Sequence, residues 1–284
     1  MAKPESLALL KRSVQEWNEW RQAANPGPIS EWPISSADLH EADLQGSNLR
    51  GAMLAAANLH GARLKGADLS EACLQRAHLV EADLTNANLE SADLTSSIAI
   101  ASKLRDANLR GATLTGSLLR EADLAGANLR QAHLLGANLE EASLLQADLQ
   151  QAQLSNSKLV NARLDGANVR GTTLVQANLN GAHLVEACLV ESHMQGASLM
   201  LCQLQMADLT GADLTGANLA GAMLGGANLT KAILQKCNLS NVSLVGADLA
   251  GANLAGADLT ATVLVGANLL QADLTGSRIY GVSA

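Results

Sequence analysis

From Ala37 onward the chain carries a large apolar residue at every fifth position and a small one two places earlier, with no insertion or deletion as far as Gly281. With the large residue as i, this position falls at 39, 44, 49 and onward to 279. Leucine fills it in 45 of 49 pentads, and Ala99, Val169, Met194 and Ile279 fill the rest. Position i−2 is alanine in 37 pentads and otherwise Ser, Thr, Cys or Val. An α-helix cannot bury this pattern, because a five-residue step turns about 500° and successive leucines drift by roughly 140° around the cylinder. A continuous strand fails as well, since an odd step sends alternate leucines to opposite faces. A short extended piece over i−2, i−1 and i, with a corner at i+1 and i+2, points i−2 and i inward every time and predicts a coil.

The outward residues at i−1 indicate how many corners close one turn. Sorted by a period of twenty, one column runs Asn48, Asp68, Asn88, Asn108, Asn128, Asp148, Asn168, Cys188, Asp208, Asn228, Asp248, Asn268, with a single exception to Asn or Asp. No other column is as uniform. Four pentads per coil explains the sorting, because residues twenty apart then stack.

Residues 1–35 differ in kind and are read as a helical cap and linker, with the repeats covering 36–284. Leu7, Leu10, Val14 and Trp17 at spacings of three and four, followed by Trp20, predict one amphipathic helix from Ser6 to Ala24,. Asn25-Pro26-Gly27-Pro28 ends it,. Its expected role is to cover the open edges and lumen of the first coil. A docking helix for a partner is the competing reading.

The motif Ala-(Asp/Asn)-Leu-x-x, intact at Ala67-Asp68-Leu69-Ser70-Glu71 and Ala217-Asn218-Leu219-Ala220-Gly221, resembles the pentapeptide-repeat family. The resemblance spans residues 37–281 and implies an all-β solenoid, a right-handed quadrilateral parallel β-helix with i and i−2 filling the lumen. About 12 coils at a strand spacing of ~4.8 Å give a length of roughly 58 Å. Trp17-Asn18-Glu19-Trp20-Arg21 followed by Asn25-Pro26 is similar to a lead-in on cyanobacterial members, which implies a bacterial protein.

Composition refines this picture. Charged residues make up 16 %, the net charge is −8 and phenylalanine is absent, so the lumen is aliphatic. Cys73 and Cys188 are outward, and Cys202 and Cys237 are lumenal. Neither pair is separated by a whole number of coils, so four free thiols are expected. That suits a reducing compartment. With no signal peptide and no apolar run of about 18 residues, the expected location is the cytoplasm, away from membranes.

Candidate surfaces follow from the columns. Asp43, Arg63, Asp83, Lys103 and Asp123 alternate in sign at i−1 and are read as a salt-bridge ladder. Glu41, Glu81, Glu121 and Glu141 share an i+2 column, a candidate partner-binding stripe. Arg50, Arg110, Arg130 and Arg170 share an i+1 column. At Ala99 the lumenal leucine is missing, and one of the flanking residues Ile98 and Ile100 is expected to bulge inward to replace it. The competing reading is an exposed contact patch. After Val160 the outward positions become apolar, and Met200, Leu201, Met206, Val245, Val263 and Val265 are candidates for a partner-binding or self-association face. Ile279 and Tyr280 mark a candidate homodimer end.

No catalytic constellation emerges. His40 and His60 share an i+1 column beside Glu41, but without a cleft they read as solvated, and neither metal nor cofactor is expected. The frequent Gly at i+2 serves corners. The expected function is a non-enzymatic scaffold or regulator mediating protein–protein interaction. The family resemblance implies an alternative, a DNA mimic that binds or protects type II topoisomerase (gyrase). Duplex DNA of the same length carries roughly 34 charges at one per ~1.7 Å. Beyond residue 35 the chain has 23 acidic and 15 basic residues, a surplus of 8, so mimicry requires that one side concentrate it. Direct nucleic-acid binding is not expected of a net-acidic chain.

Overall fold

Where each backbone N–H of a pentad goes explains most of the repeat. In a computed structural model, which describes residues 4–23 and 34–283, the pattern can be followed from Ala37. The i−1 N–H donates to the i−2 carbonyl of the preceding coil, as Asn58 does to Ala37 at 2.9 Å. The i N–H donates to the i−1 carbonyl of the next coil, as Leu39 does to Asn58 at 2.7 Å. The i+2 N–H donates to the next i+1 carbonyl, as Glu41 does to His60 at 2.9 Å. The following small residue closes the corner, with Ala42 donating to Leu39 at 3.1 Å. One donor per pentad, at i+1, has no backbone acceptor in this scheme. An Asn or Asp at i−1 takes it through its side-chain oxygen, as Asp213 does for Thr215 at 2.9 Å and Asn88 for Glu90 at 3.3 Å. An Asn or Asp at i−1 thus satisfies a donor that the corner leaves free.

The corner residue at i+2 lies in the left-handed region, from +53° at Glu41 to +70° at Gly256. A positive φ at the third residue alone is the signature of a type II turn, and glycine meets it without strain. Isolated parallel bridges join i−1 residues twenty apart, such as Asp38 to Asn58 and Gln203 to Met223.

The chain divides into two compact units, Met1–Asn138 and Leu139–Ala284. In the first, the i positions from Leu39 through Leu134 are buried with their small i−2 partners, apart from the half-buried Ala42. The second buries the same two positions from Leu139 to Leu259, including Val169 and Met194. Each buried leucine is worth about 1.5–3 kcal/mol. Several polar lumenal residues answer to turn carbonyls, as Ser117 Oγ does to Leu114 at 2.8 Å and Thr172 Oγ1 to Leu149 at 2.7 Å, whereas the hydroxyls of Ser47, Ser97 and Ser192 are buried without a partner. The four cysteines are free, as their spacing predicts, with Cys202 and Cys237 buried.

Two sequence expectations are corrected. No isoleucine bulges inward at Ala99: Ala99 itself is fully buried, while Ile98 keeps its bridges to His78 and Leu118. A one-residue slip would turn every neighbouring side chain to the wrong face, so the flanking ladder outweighs the missing leucine. Nor do Ile98 and Ile100 form an exposed patch, since both are half-buried. The amphipathic segment is two helices, α1 (Pro4–Arg12) and α2 (Val14–Ala23), and not one. Ser13 separates them and caps α2, its carbonyl accepting from Trp17 at 3.0 Å and its Oγ from Glu16 at 3.2 Å,. The Asn25–Pro28 stop and Trp32 lie outside the described residues.

Candidate interaction surface

α2 meets the first coil on the Asn48 side through polar as well as apolar groups. Leu10 and Trp17 are buried, and Leu7, Val14 and Trp20 half-buried. Trp17 Nε1 donates to the Asn48 carbonyl at 2.8 Å, and Asn18 Oδ1 accepts the Asn48 N–H at 2.7 Å. Asn18 Nδ2 donates to Gly46 O at 3.0 Å, and Arg21 donates to Arg50 O at 2.9 Å. Asn18 Oδ1 thus stands where the i−2 carbonyl of an earlier coil would, and Trp17 and Arg21 where its i and i+2 N–H groups would. Burial lowers the pKa of Arg21, with Asp68 opposing. Sequence reasoning found the apolar residues and missed Asn18 and Arg21. Their signal was a pair of polar side chains three apart beside Trp17 on the apolar face.

In the first unit the charged columns pair among themselves. Arg63 meets Asp43 at 3.2 Å, as the alternating column predicts, and Arg105 meets Asp123 at 3.4 Å. The arginines at i+1 reach acidic neighbours too, Arg50 to Glu71 at 2.7 Å and Arg110 to Glu90 at 3.7 Å. Glu41, Glu81 and Glu121 are not brought together, because Gly61 and Ala101 occupy the coils between them. Glu41 lies 3.4 Å from His40, and Glu121 lies 2.9 Å from Arg120. Glu141 belongs to the second unit. His40 and His60 stack with ring centroids 5.2 Å apart. Among the described residues no three His, Cys, Asp or Glu side chains are placed to share a metal ion. An open hollow beside Arg50 is lined by Asp68, Ser70, Glu71 and Asn88, whose polar groups are already bonded to one another.

The second unit presents a different side. Residues 200–206, 220–226, 240–246 and 260–266 form one wall and both its corners over four successive coils, and none of them is charged. The wall residues Gln203, Met223, Ser243 and Val263 bridge in succession. Leu201 is 66 % exposed and Met206 63 %, while Met200, Met223, Val245 and Val265 are also exposed and Val263 is half-buried. Leu201 lies over the Cα of Gly221 and Met206 over that of Gly226, in space that any side chain there would need. The structure thus gathers Met200, Leu201, Met206, Val245, Val263 and Val265 on one wall, and adds Met223. In the last described coil lumenal positions open to solvent, with Ile279 67 % exposed beside Tyr280 at 85 %.

Several solved structures are similar to this chain. That of HetL, a pentapeptide repeat protein involved in heterocyst differentiation regulation from the cyanobacterium Nostoc sp. strain PCC 7120, is 36 % identical over 74 % of this chain and 86 % of its own, with a TM-score of 0.49. A trypsin-treated variant of QnrB1, a plasmid-mediated fluoroquinolone resistance protein, is 23 % identical over 57 % of this chain and 88 % of its own, with a TM-score of 0.32. A pentapeptide repeat protein of the Arabidopsis thaliana thylakoid lumen is 35 % identical over 39 % of this chain and 67 % of its own, with a TM-score of 0.28. No curated protein sequence matches this chain. Eight copies of the family model for pentapeptide repeats match residues 34–98 and 102–281. With the twenty-residue bridge spacing and the leucine-lined lumen, this establishes that the chain belongs to the pentapeptide-repeat family, generally non-enzymatic proteins that fold as right-handed quadrilateral β-helices with a short N-terminal helical region.

Proposed function

We propose that the protein is a non-enzymatic scaffold or regulator of the cytoplasm that binds a protein partner through the uncharged wall of its second unit, with α1 and α2 as the cap of its first coil. The observation that carries this reading is the contrast between the two units. Arginines of the first unit and their acidic neighbours neutralise one another, whereas the wall from 200 to 266 exposes methionine, leucine and valine with no charge among them. Exposed large apolar side chains gathered on one uncharged wall mark an interaction site. The interspersed ion pairs work against the DNA-mimic alternative, which needs an unbroken acidic row.

The test compares native-lysate capture by the wild-type chain with capture by Met206→Lys/Val245→Lys, whose fold is checked by circular dichroism. Retention of a protein by the first and its loss from the second supports the reading; identical retained sets, with no self-association that the substitutions disrupt, overturn it. A gyrase supercoiling assay separates the alternative, because dose-dependent inhibition at micromolar protein is expected only of a DNA mimic.

A further inference from the structure

We infer that the partner this wall accepts is a second copy of the chain, seated antiparallel about a two-fold axis that lies in the contact plane and crosses the wall between residues 220–226 and 240–246. The inference rests on the reading that the uncharged wall is a binding surface, and adds the identity and register of what binds there.

Relief is the first argument. A two-fold contact must be complementary to itself, with each residue facing a fixed counterpart on the other copy. For this axis, position 200 + n faces 260 + n and position 220 + n faces 240 + n. Large side chains then fall opposite small ones at most outward positions: Leu201 opposite Ala261, Met206 opposite Gly266, Met223 opposite Ser243, Val245 opposite Gly225, and Gly226 opposite Gly246, while Met200 meets Thr260 and the flexible Gln203 and Gln205 meet Val263 and Val265. The exposed corners Leu201 and Met206 at one end face the small corners Ala261 and Gly266 at the other, where only the Gly246 backbone lies near a side chain added at Gly266.

Charge is the second argument. At a net −8 two copies repel one another, and the wall without charge is where that repulsion is least,. A foreign partner selected by charge has nothing here to recognise. Extent sets the strength: four coils at ~4.8 Å cover roughly 19 Å of wall. A contact of this size belongs with small, reversible interfaces, so the dimer is concentration-dependent. Added salt strengthens it by screening the net repulsion, the reverse of what an ion-paired interface shows.

Sedimentation velocity from micromolar to millimolar concentration, at low and high salt, tests the proposal on four chains: wild type, Met206→Lys, Gly266→Glu, and the double variant. Positions 206 and 266 sit three coils apart in one chain, too far for an internal ion pair, but face each other across the two-fold. The expected result is a wild-type dimer favoured by salt, dissociated by either single substitution and restored in the double variant. A chain that stays monomeric at millimolar concentration overturns the proposal, as does a dimer indifferent to Met206→Lys or one that only Ile279→Lys dissociates. If the wild type is monomeric while lysate capture still depends on Met206 and Val245, the wall binds a foreign protein and only the self-association fails. If neither depends on them, the binding wall itself is refuted.

Discussion

Replacing Ala99 by leucine asks whether the lumen is a template that prescribes one side chain per level. Ala99 is fully buried between Leu79 and Leu119, which occupy the same column one coil before and after it and are equally buried. Its N–H donates to Leu118 O at 2.7 Å, so its backbone already follows the course of a leucine pentad. The substitution adds three carbons to an interior position without moving the chain. At about 0.8 kcal/mol per buried methylene, the gain is about 2.4 kcal/mol. The opposite change, Leu119→Ala, removes the same atoms and should cost about 2–5 kcal/mol, the excess reflecting incomplete collapse around the cavity. Urea unfolding followed by far-ultraviolet circular dichroism measures both, with the wild-type slope checked first, since stacked repeats need not unfold in one step. A higher midpoint for Ala99→Leu and a lower one for Leu119→Ala are expected. A lowered midpoint for Ala99→Leu, by the roughly 1–3 kcal/mol typical of overpacking, would refute the template, because it would mean that neighbouring side chains already fill that level.

Three further predictions concern the cap, the thiols and acid stability. Asn18→Ala leaves the Asn48 N–H and Gly46 O without their partners and should cost about 1–3 kcal/mol, with faster amide exchange at Asn48 as the local readout. Burial pushes the thiols of Cys202 and Cys237 up to about 12, so at pH 8 an aromatic disulfide reagent should titrate Cys73 and Cys188 first and the lumenal pair only on unfolding. Burial raises the pKa of the Asp213 carboxyl, but the Thr215 hydroxyl and N–H, Gln195 and His193 outweigh it, and the folded value lies below the usual one; Asp93 is held down in the same way by Thr95 and Gln75. Stability from such groups is complete above the unfolded carboxylate pKa of about 3.9 and is lost as pH falls through the lower folded values. Acid unfolding should therefore set in below about pH 4, and Asp213→Asn should flatten that part of the stability profile.

The coil was legible because its cause is local and repeated: a small and a large residue two apart must both leave water in every pentad. The column from Asn48 to Asn268 was legible in the same way, although its reason was not. Bonds such as Asn108 to Asn88 and Asn128 to Asn108, each 3.0 Å, exist only once coils stack. Ala99 was misread because a single pentad, taken alone, invites a bulge, while register is held by the coils on either side. The break at Ser13 was missed for the opposite reason, a local one: apolar spacing continues across it, and only its capping bonds show that the helix restarts. Glu41, Glu81 and Glu121 share a column but skip every second coil, so a stripe in the sequence is separate charges in space. The wall from 200 to 266 was visible as scattered apolar residues. Its lack of charge over four coils became evident only when the twenty-residue stacking assembled it.

That stacking is the claim on which every surface assignment depends, and directed crosslinking tests it. With Cys73 and Cys188 replaced by serine, Gln203→Cys/Met223→Cys joins two bridged residues at the ~4.8 Å spacing of neighbouring strands, within disulfide range,. Gln203→Cys/Asp213→Cys instead joins positions half a coil apart, on opposite sides. Mild oxidation of dilute protein, read by mass spectrometry, should close the first pair within one chain and leave the second open. Closure of the second pair, or of neither, would contradict a coil of four pentads.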